Sequence, residues 1–129
     1  MNIKVEISYG EFLDKLSILE IKSERIHDAG KLENVNHELK LLRKLWAEDP
    51  KSSVDIQAEM AEMKRINETL WKIEDDIRDR ERARDFGEEF VRLARAVYYI
   101  NDERADVKRR LNKKLGSELV EEKSYADYQ

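Results

Sequence analysis

The sequence of 129 residues contains no cysteine, which excludes disulfide bridges, thiolate nucleophiles, iron–sulfur clusters and zinc sites built on thiolates. Proline occurs once and glycine four times, so few positions interrupt a helix and no glycine-rich loop can cradle a phosphate. The motifs of nucleotide-binding folds and of serine hydrolases are absent as well. We therefore expect no catalytic residues, and the chain is more easily understood as a binding protein than as an enzyme.

The sequence also lacks a strong excess of charge of either sign. It has 25 basic and 29 acidic residues, a net charge of -4, and the two signs are mixed along the chain. No basic stripe is available for a phosphate backbone, so we expect no nucleic-acid partner. No apolar run is long enough for a secretory signal or a membrane span. These absences predict a cytoplasmic protein.

The chain is rich in charge, at 42% of residues, and its apolar residues recur at spacings of three and four. This pattern predicts exposed amphipathic helices and an all-α fold of a single domain. A break at Asp85–Glu88 makes the last two helices a long antiparallel hairpin. The predicted helices span residues 9–27, 31–48, 53–84 and 86–115, and a polar tail follows over residues 117–129.

A short strand is predicted at the N-terminus, over residues 1–7, because Ile3, Val5 and Ile7 alternate with charged residues. We expect it to pair with the tail at Leu119 and Val120. Helix ends are predicted from capping signals. These are Ser8 with Glu11 at the start of the first helix, Gly30 at its end, Ser52 or Ser53 before the third helix, and Asp85 with Glu88 before the fourth.

The first helix is apolar on two sides, which predicts a partner surface in addition to a core face. Ile18 and Ile21 lie opposite the main apolar stripe, with Lys15 and Lys22 at the rim. The first two helices are also shorter than the hairpin that they cover. Since this leaves an apolar seam at one end of the hairpin, we expect a homodimer or another protein partner.

Arg104 stands in the fourth helix where the apolar spacing calls for a hydrophobic residue. If the hairpin turns near Asp85, Arg104 lies level with Asn67 on the third helix. One interpretation is a polar slot that grips a small organic anion. The other is a hydrogen-bonded layer that fixes the register of the helices. The residues of this predicted slot are Asn67, Glu74, Arg95, Asn101, Arg104 and Lys108.

The sequence also contains weaker patterns for a metal centre and for a ring-binding platform. Glu24 and His27 have the spacing of a di-iron carboxylate ligand pair, but such a site needs a second pair and further glutamates. We therefore expect no metal and no cofactor. Trp71 and Tyr98 either stack a ring-shaped ligand or pack between helices.

Five stretches of the chain stand out as a set, namely residues 7–15, 18–22, 85–87, 101–104 and 115–125. Together they resemble a family of small bacterial helical proteins that is described only as a domain of unknown function. The resemblance covers nearly the whole chain and implies a link to the biosynthesis of surface glycans, without a role for any residue. Two functions remain open: a non-catalytic binding or assembly module, and a small helical enzyme or binding protein for an organic anion, with an interhelical slot like that of chorismate mutases.

Overall fold

The computed structural model of the chain describes residues 2–128. Met1 and Gln129, the outermost residues of the predicted strand and tail, lie outside the described residues. The predicted all-α class and four-helix arrangement are confirmed, and the third and fourth helices make the most extensive contact. Within residues 2–128, no helix is long and apolar enough to cross a membrane. The helices are α1 (Tyr9–Arg25), α2 (Ala29–Glu48), α3 (Gln57–Arg82) and α4 (Glu88–Leu115).

The hydrophobic core lies where α1 packs against the other three helices. α1 contacts α2 on one side and both helices of the hairpin on the other, which explains why its sequence is apolar on two sides. Met63, Ile66, Val107 and Leu111 are fully buried in the hairpin. From α1 and α2 the core receives Leu13, Leu16, Leu19, Leu39 and Leu42.

The predicted N-terminal strand is wrong. Residues 2–8 have no regular secondary structure, and Ile3 and Val5 are 95% and 77% exposed. Leu119 and Val120, the predicted pairing partners, are each about half exposed. An alternating sequence becomes a strand only beside another strand that supplies hydrogen bonds, and the described residues contain none.

The predicted end of α1 is also wrong, since the helix stops at Arg25 and Gly30 lies in the first turn of α2. Asp28 decides this boundary, because its side chain accepts a hydrogen bond from the Lys31 amide at 2.9 Å and caps α2. An aspartate at this position satisfies an amide that the helix leaves unpaired.

The connection between α2 and α3 contains a 3₁₀ turn, Pro50–Ser53, which the sequence did not predict. Ser52 belongs to this turn, where its hydroxyl donates to the Asp49 carbonyl oxygen at 2.7 Å. Neither Ser52 nor Ser53 therefore caps α3, which begins at Gln57.

The turn of the hairpin, residues 83–87, extends further on both sides than the predicted helix ends at residues 84 and 86. α3 ends at Arg82, and α4 begins at Glu88 with Gly87 as its N-cap residue. The Asp85 Oδ1 atom accepts from the Gly87 amide at 3.2 Å and so shapes the turn. The predicted capping box of Asp85 with Glu88 does not form among the described residues.

Candidate functional site

The start of α1 lies against the end of α4. The Gly10 amide donates a buried hydrogen bond of 2.7 Å to the Asn112 Oδ1 atom, and the Tyr9 amide donates to the Ser117 Oγ atom at 3.4 Å. The first amides of a helix have no partner within the helix itself. Their pairing with Asn112 and Ser117 therefore fixes α1 on α4.

Asp14 and Lys108 form the buried centre of a polar cluster between α1 and α4. Asp14 is 2% exposed and Lys108 is 7% exposed, and the Asp14 Oδ2 atom lies 3.8 Å from the Lys108 Nζ atom. Arg104, one turn before Lys108, places its Nε atom 3.3 Å from the same carboxylate oxygen. Since an unpaired charge is costly in a protein interior, these three groups hold one another in place.

Asn67 and Ser17 complete the cluster from α3 and α1. The Asn67 Nδ2 atom donates to the Asp14 Oδ1 atom at 3.0 Å and to the Ser17 Oγ atom at 3.4 Å. No buried side-chain nitrogen or oxygen in the part of the chain that the structure describes lacks a hydrogen-bond partner. We use the term polar cluster for Glu11, Asp14, Ser17, Asn67, Arg104 and Lys108.

Lys108 also pairs with two more exposed carboxylates, Glu11 of the polar cluster and Glu121 beyond the end of α4. Its Nζ atom lies 2.6 Å from the Glu11 Oε2 atom and 2.6 Å from the Glu121 Oε2 atom. Burial lowers the pKa of Lys108, but the hydrogen bonds with Glu11 and Glu121 outweigh this effect and raise the pKa above its ordinary value. The Ser8 Oγ atom accepts from the Glu11 amide at 3.1 Å. Because the Glu11 carboxylate binds Lys108, only the Ser8 half of the predicted capping box is present.

Residues 117–128, which we call the C-terminal segment, lie along α4 without regular secondary structure. The Lys123 Nζ atom lies 3.9 Å from the Asp102 Oδ1 atom. The Tyr128 hydroxyl donates to the Asp102 Oδ2 atom, and this hydrogen bond raises the pKa of Tyr128 to about 12. The segment thus docks mainly through polar contacts, to which the Tyr128 ring adds edge-on contacts with Tyr98 and Tyr99.

The Glu121 carboxylate is expected to hold the C-terminal segment on α4 at neutral pH. Its hydrogen bond with Lys108 lowers the pKa of Glu121. The docking free energy is therefore fully present above the ordinary glutamate pKa of about 4.3 and is lost as the pH falls through the lowered value. Glu121→Gln should release the segment at neutral pH, as a drop in the heteronuclear NOE of residues 119–126 would show.

Glu118→Gln is the matched control for this prediction. Glu118 lies in the same segment, is exposed, and has no ion-pair partner among residues 2–128. Its replacement should leave the NOE values unchanged. A segment that stays ordered in Glu121→Gln would show that the tyrosine contacts are sufficient to dock it.

A cleft of about 380 Å³ opens beside the polar cluster, where α1 meets the hairpin. The Arg104 side chain is 31% exposed, so it extends from the buried Asp14 carboxylate to the wall of this cleft. We call it the front cleft. Its lining combines an apolar floor with Lys22 of α1 and with four polar or charged side chains of the hairpin. The lining residues are Ile18, Ile21, Lys22, Asn67, Leu70, Trp71, Glu74, Val97, Asn101 and Arg104.

The front cleft brings together residues that the sequence analysis assigned to two separate sites. Asn67, Glu74, Asn101 and Arg104 come from the predicted anion slot, and Ile18, Ile21 and Lys22 come from the predicted partner surface. Ile21 is 1% exposed, so it forms part of the packed wall. The remaining residues of both sets lie elsewhere.

Three predicted residues are outside the front cleft. Lys108 lies in the polar cluster. Arg95 lies on the exposed face of α4, with its Nε atom 3.4 Å from the Tyr98 hydroxyl. Lys15 is exposed, and its Nζ atom lies 3.9 Å from the Glu38 Oε2 atom of α2.

The match to a family model covers residues 3–128, nearly the whole chain, and that model is described as "Family of unknown function (DUF6165)". The chain belongs to this family. A search of curated proteins and a search of solved structures each gave no match.

The polar cluster of this DUF6165 protein draws on the stretches that carried the resemblance. Residues 7–15 supply Glu11 and Asp14, residues 101–104 supply Arg104, and residues 115–125 supply the Glu121 carboxylate that binds Lys108. Asp14 was missed as a site residue. A signal was available, because Gly10, Asp14, Ser17 and Ile21 recur at spacings of four, three and four, which places them on one helix face.

Two further hypotheses concern chemistry outside the polar cluster. The Glu24 Oε1 atom binds the Lys64 Nζ atom at 2.9 Å, and His27 is exposed in the connection between α1 and α2. No group of three or more histidines and carboxylates in residues 2–128 is arranged to hold a metal ion.

Trp71 lines the front cleft, whereas Tyr98 stacks on Tyr99. The two rings thus belong to different surfaces.

Proposed function

We propose that this protein is a non-catalytic assembly module that binds a protein partner through the hairpin beyond α1. The observation that carries the proposal is the unequal length of the helices. The core cluster shared with α1 and α2 extends along the hairpin only as far as Leu70 and Ile100. Beyond this level α1 still meets the hairpin at the front cleft, where Ile18, Ile21 and Lys22 face Trp71, Glu74 and Val97. The core cluster to which α1 and α2 contribute does not extend there. We call residues 71–97 the distal hairpin.

The distal hairpin carries more apolar surface than two helices can bury. Within it, Ile73 and Leu93 are the only buried side chains among the described residues. Phe86 is 52% exposed. Aromatic side chains are enriched in protein interfaces, and contiguous exposed apolar surface marks interaction sites. The half-buried apolar side chains along the hairpin are Trp71, Ile77, Phe90 and Val97.

The polar cluster supports a structural role more than an anion-binding one. Lys108 already has carboxylate partners in Glu11, Asp14 and Glu121, and the Arg104 Nε atom is paired with Asp14. Within the polar cluster, an organic anion would therefore find only the terminal nitrogens of Arg104. The anion-binding alternative stays a prediction, as do the cytoplasmic location and the link to surface glycans.

Hydrogen exchange of the dilute, monomeric chain tests the proposal. We expect the amides of residues 74–95 to exchange through local opening. The free energy of this opening should be lower than for the amides of residues 60–70 and 100–112. The reason is that the distal hairpin has few buried apolar contacts, and such regions open before the global unfolding of the domain. If all of these amides exchange only through global unfolding, the distal hairpin needs no partner and the proposal fails.

A further inference from the structure

We infer that the partner is a second copy of this chain, and that Phe86 of each copy inserts into the front cleft of the other. This inference rests on the proposed function, since it names the partner of the same surface. It is drawn from four features of the described residues: an ordered aromatic tip, a cleft of matching chemistry, complementary unpaired charges, and a matching spacing along the hairpin.

The turn of the hairpin holds Phe86 in a fixed, exposed position. The Asp85 amide donates to the Arg80 carbonyl oxygen at 2.9 Å, and the Arg80 guanidinium lies 3.3 Å from the Asp85 carboxylate. The Phe86 ring rests edge-on against Phe90, with the centroids 5.2 Å apart. An aromatic side chain that is already ordered loses little conformational entropy on binding, as is typical of interface anchors.

The front cleft offers the environment that such a ring requires. Trp71, Leu70 and Val97 form apolar walls around a volume of about 380 Å³, which is sufficient for one aromatic side chain. Arg104 is fixed at the edge by the buried Asp14 carboxylate. The cleft is therefore preformed, as the tip is.

One pair of charges at the tip and the cleft, Glu88 and Lys22, is complementary. Glu88 follows the tip by two residues, and Lys22 lies in the lining of the cleft. Neither side chain forms an ion pair within residues 2–128. Placing Phe86 in the cleft of another copy brings an unpaired carboxylate towards an unpaired ammonium group. Opposite charges at the rim of an interface favour one orientation of the partner.

The distance between tip and cleft allows the Phe86 rings of both copies to enter the opposite front clefts at the same time. Along α4 the cleft residue Val97 and the tip residue Glu88 are separated by nine residues, or about 14 Å of helix. Two antiparallel hairpins related by a two-fold axis then place each tip at the cleft of the other, in a closed dimer. This pairing covers Ile77 and Phe90. The distal hairpin has seven basic and eight acidic residues, so two copies meet without strong net repulsion.

Light scattering of the full chain over a concentration series tests the second-copy inference. We expect the wild type to reach twice the mass of one chain, and Phe86→Ser to raise the dissociation constant of the dimer at least about tenfold. Circular dichroism and the melting temperature of Phe86→Ser at monomeric dilution serve as the control for folding. Since Phe86 is half exposed, they should remain close to wild type.

Disulfide trapping tests the position of the tip. Because the chain has no native cysteine, an introduced cysteine can form a disulfide only with another introduced cysteine. Glu88→Cys and Lys22→Cys, prepared separately, mixed and mildly oxidised, should form a covalent dimer of one chain of each kind. Glu33→Cys on the exposed face of α2 is the control for non-specific oxidation. Mixed with Lys22→Cys, it should give at least about tenfold less covalent dimer.

The outcomes separate this inference from the proposed function. A wild-type chain that stays monomeric at all concentrations overturns the second-copy inference, while rapid exchange in the distal hairpin would still support an interface for another protein. A dimer that survives Phe86→Ser and gives no specific Glu88–Lys22 cross-link overturns the insertion of the tip. If all of the amides of residues 60–70, 74–95 and 100–112 in the monomer are protected from hydrogen exchange until global unfolding, the proposed function itself fails.

Discussion

Replacing Asp14 with alanine is expected to lower the free energy of unfolding by about 3 kcal/mol, and the melting temperature by about 10 °C. The carboxylate is 2% exposed and is contacted by Arg104, Lys108 and Asn67. Its removal leaves the buried Asn67 amide with only the longer hydrogen bond to Ser17 and leaves the Arg104 Nε atom without its carboxylate. Such a loss costs more than the missing attraction alone. Denaturant unfolding monitored by circular dichroism measures the effect.

Asp106→Ala is the matched control on the surface of α4. Asp106 pairs with Arg109 at 2.9 Å, but both side chains are more than half exposed. Such pairs contribute little because water screens them, and we expect a change below about 0.5 kcal/mol. If the two aspartate variants were equally stable, the polar cluster would not be what fixes α1 on the hairpin.

The second large effect is expected for Gly10→Ala, with a loss of about 2 kcal/mol. A Cβ atom at position 10 would lie 2.6 Å from the Lys108 carbonyl oxygen and 3.0 Å from the Asn112 Oδ1 atom. The first of these atoms belongs to the backbone of α4 and cannot rotate away, so α1 must move. This movement would also weaken the 2.7 Å hydrogen bond from the Gly10 amide. The stability of the variant is measured by thermal unfolding.

Gly30→Ala is the control, because it makes the same substitution near the start of another helix. At this position the nearest atom to a new Cβ is the Asp28 Oδ1 atom at 3.5 Å, an ordinary contact distance. Alanine also favours a helix over glycine by up to about 1 kcal/mol. We expect Gly30→Ala to be neutral or stabilising. A similar loss in both variants would point to a general cost of replacing glycine and not to the close approach of α1 and α4.

Both of these predictions depend on tertiary contacts with segments that are distant in the amino-acid sequence. Gly10 looks like a weak point in a helix, and only the distance to α4 shows why a larger side chain is excluded. Asp14 shares a helix face with Gly10, Ser17 and Ile21, but this spacing alone does not show that its carboxylate is buried. Its burial depends on Lys108 and Asn67, which lie 94 and 53 positions away along the chain.

The spacing of apolar residues by itself determined the four helices and the hairpin of α3 and α4, because helical periodicity is a local property of the chain. It also placed Asn67, Glu74, Asn101 and Arg104 on facing flanks, since a hairpin aligns residues equidistant from its turn. It failed for the N-terminal strand, whose formation depends on a pairing edge elsewhere in the fold.

Tertiary structure alone decided which charges are buried. Lys108 was predicted in the slot with Arg104, but it faces Glu11, Asp14 and Glu121 instead. The position of the C-terminal segment was equally beyond the sequence, because it depends on Glu121 reaching Lys108 across the surface of α4. A charged side chain becomes part of a core only when distant segments supply its partners. Periodicity describes one helix at a time and does not contain that information.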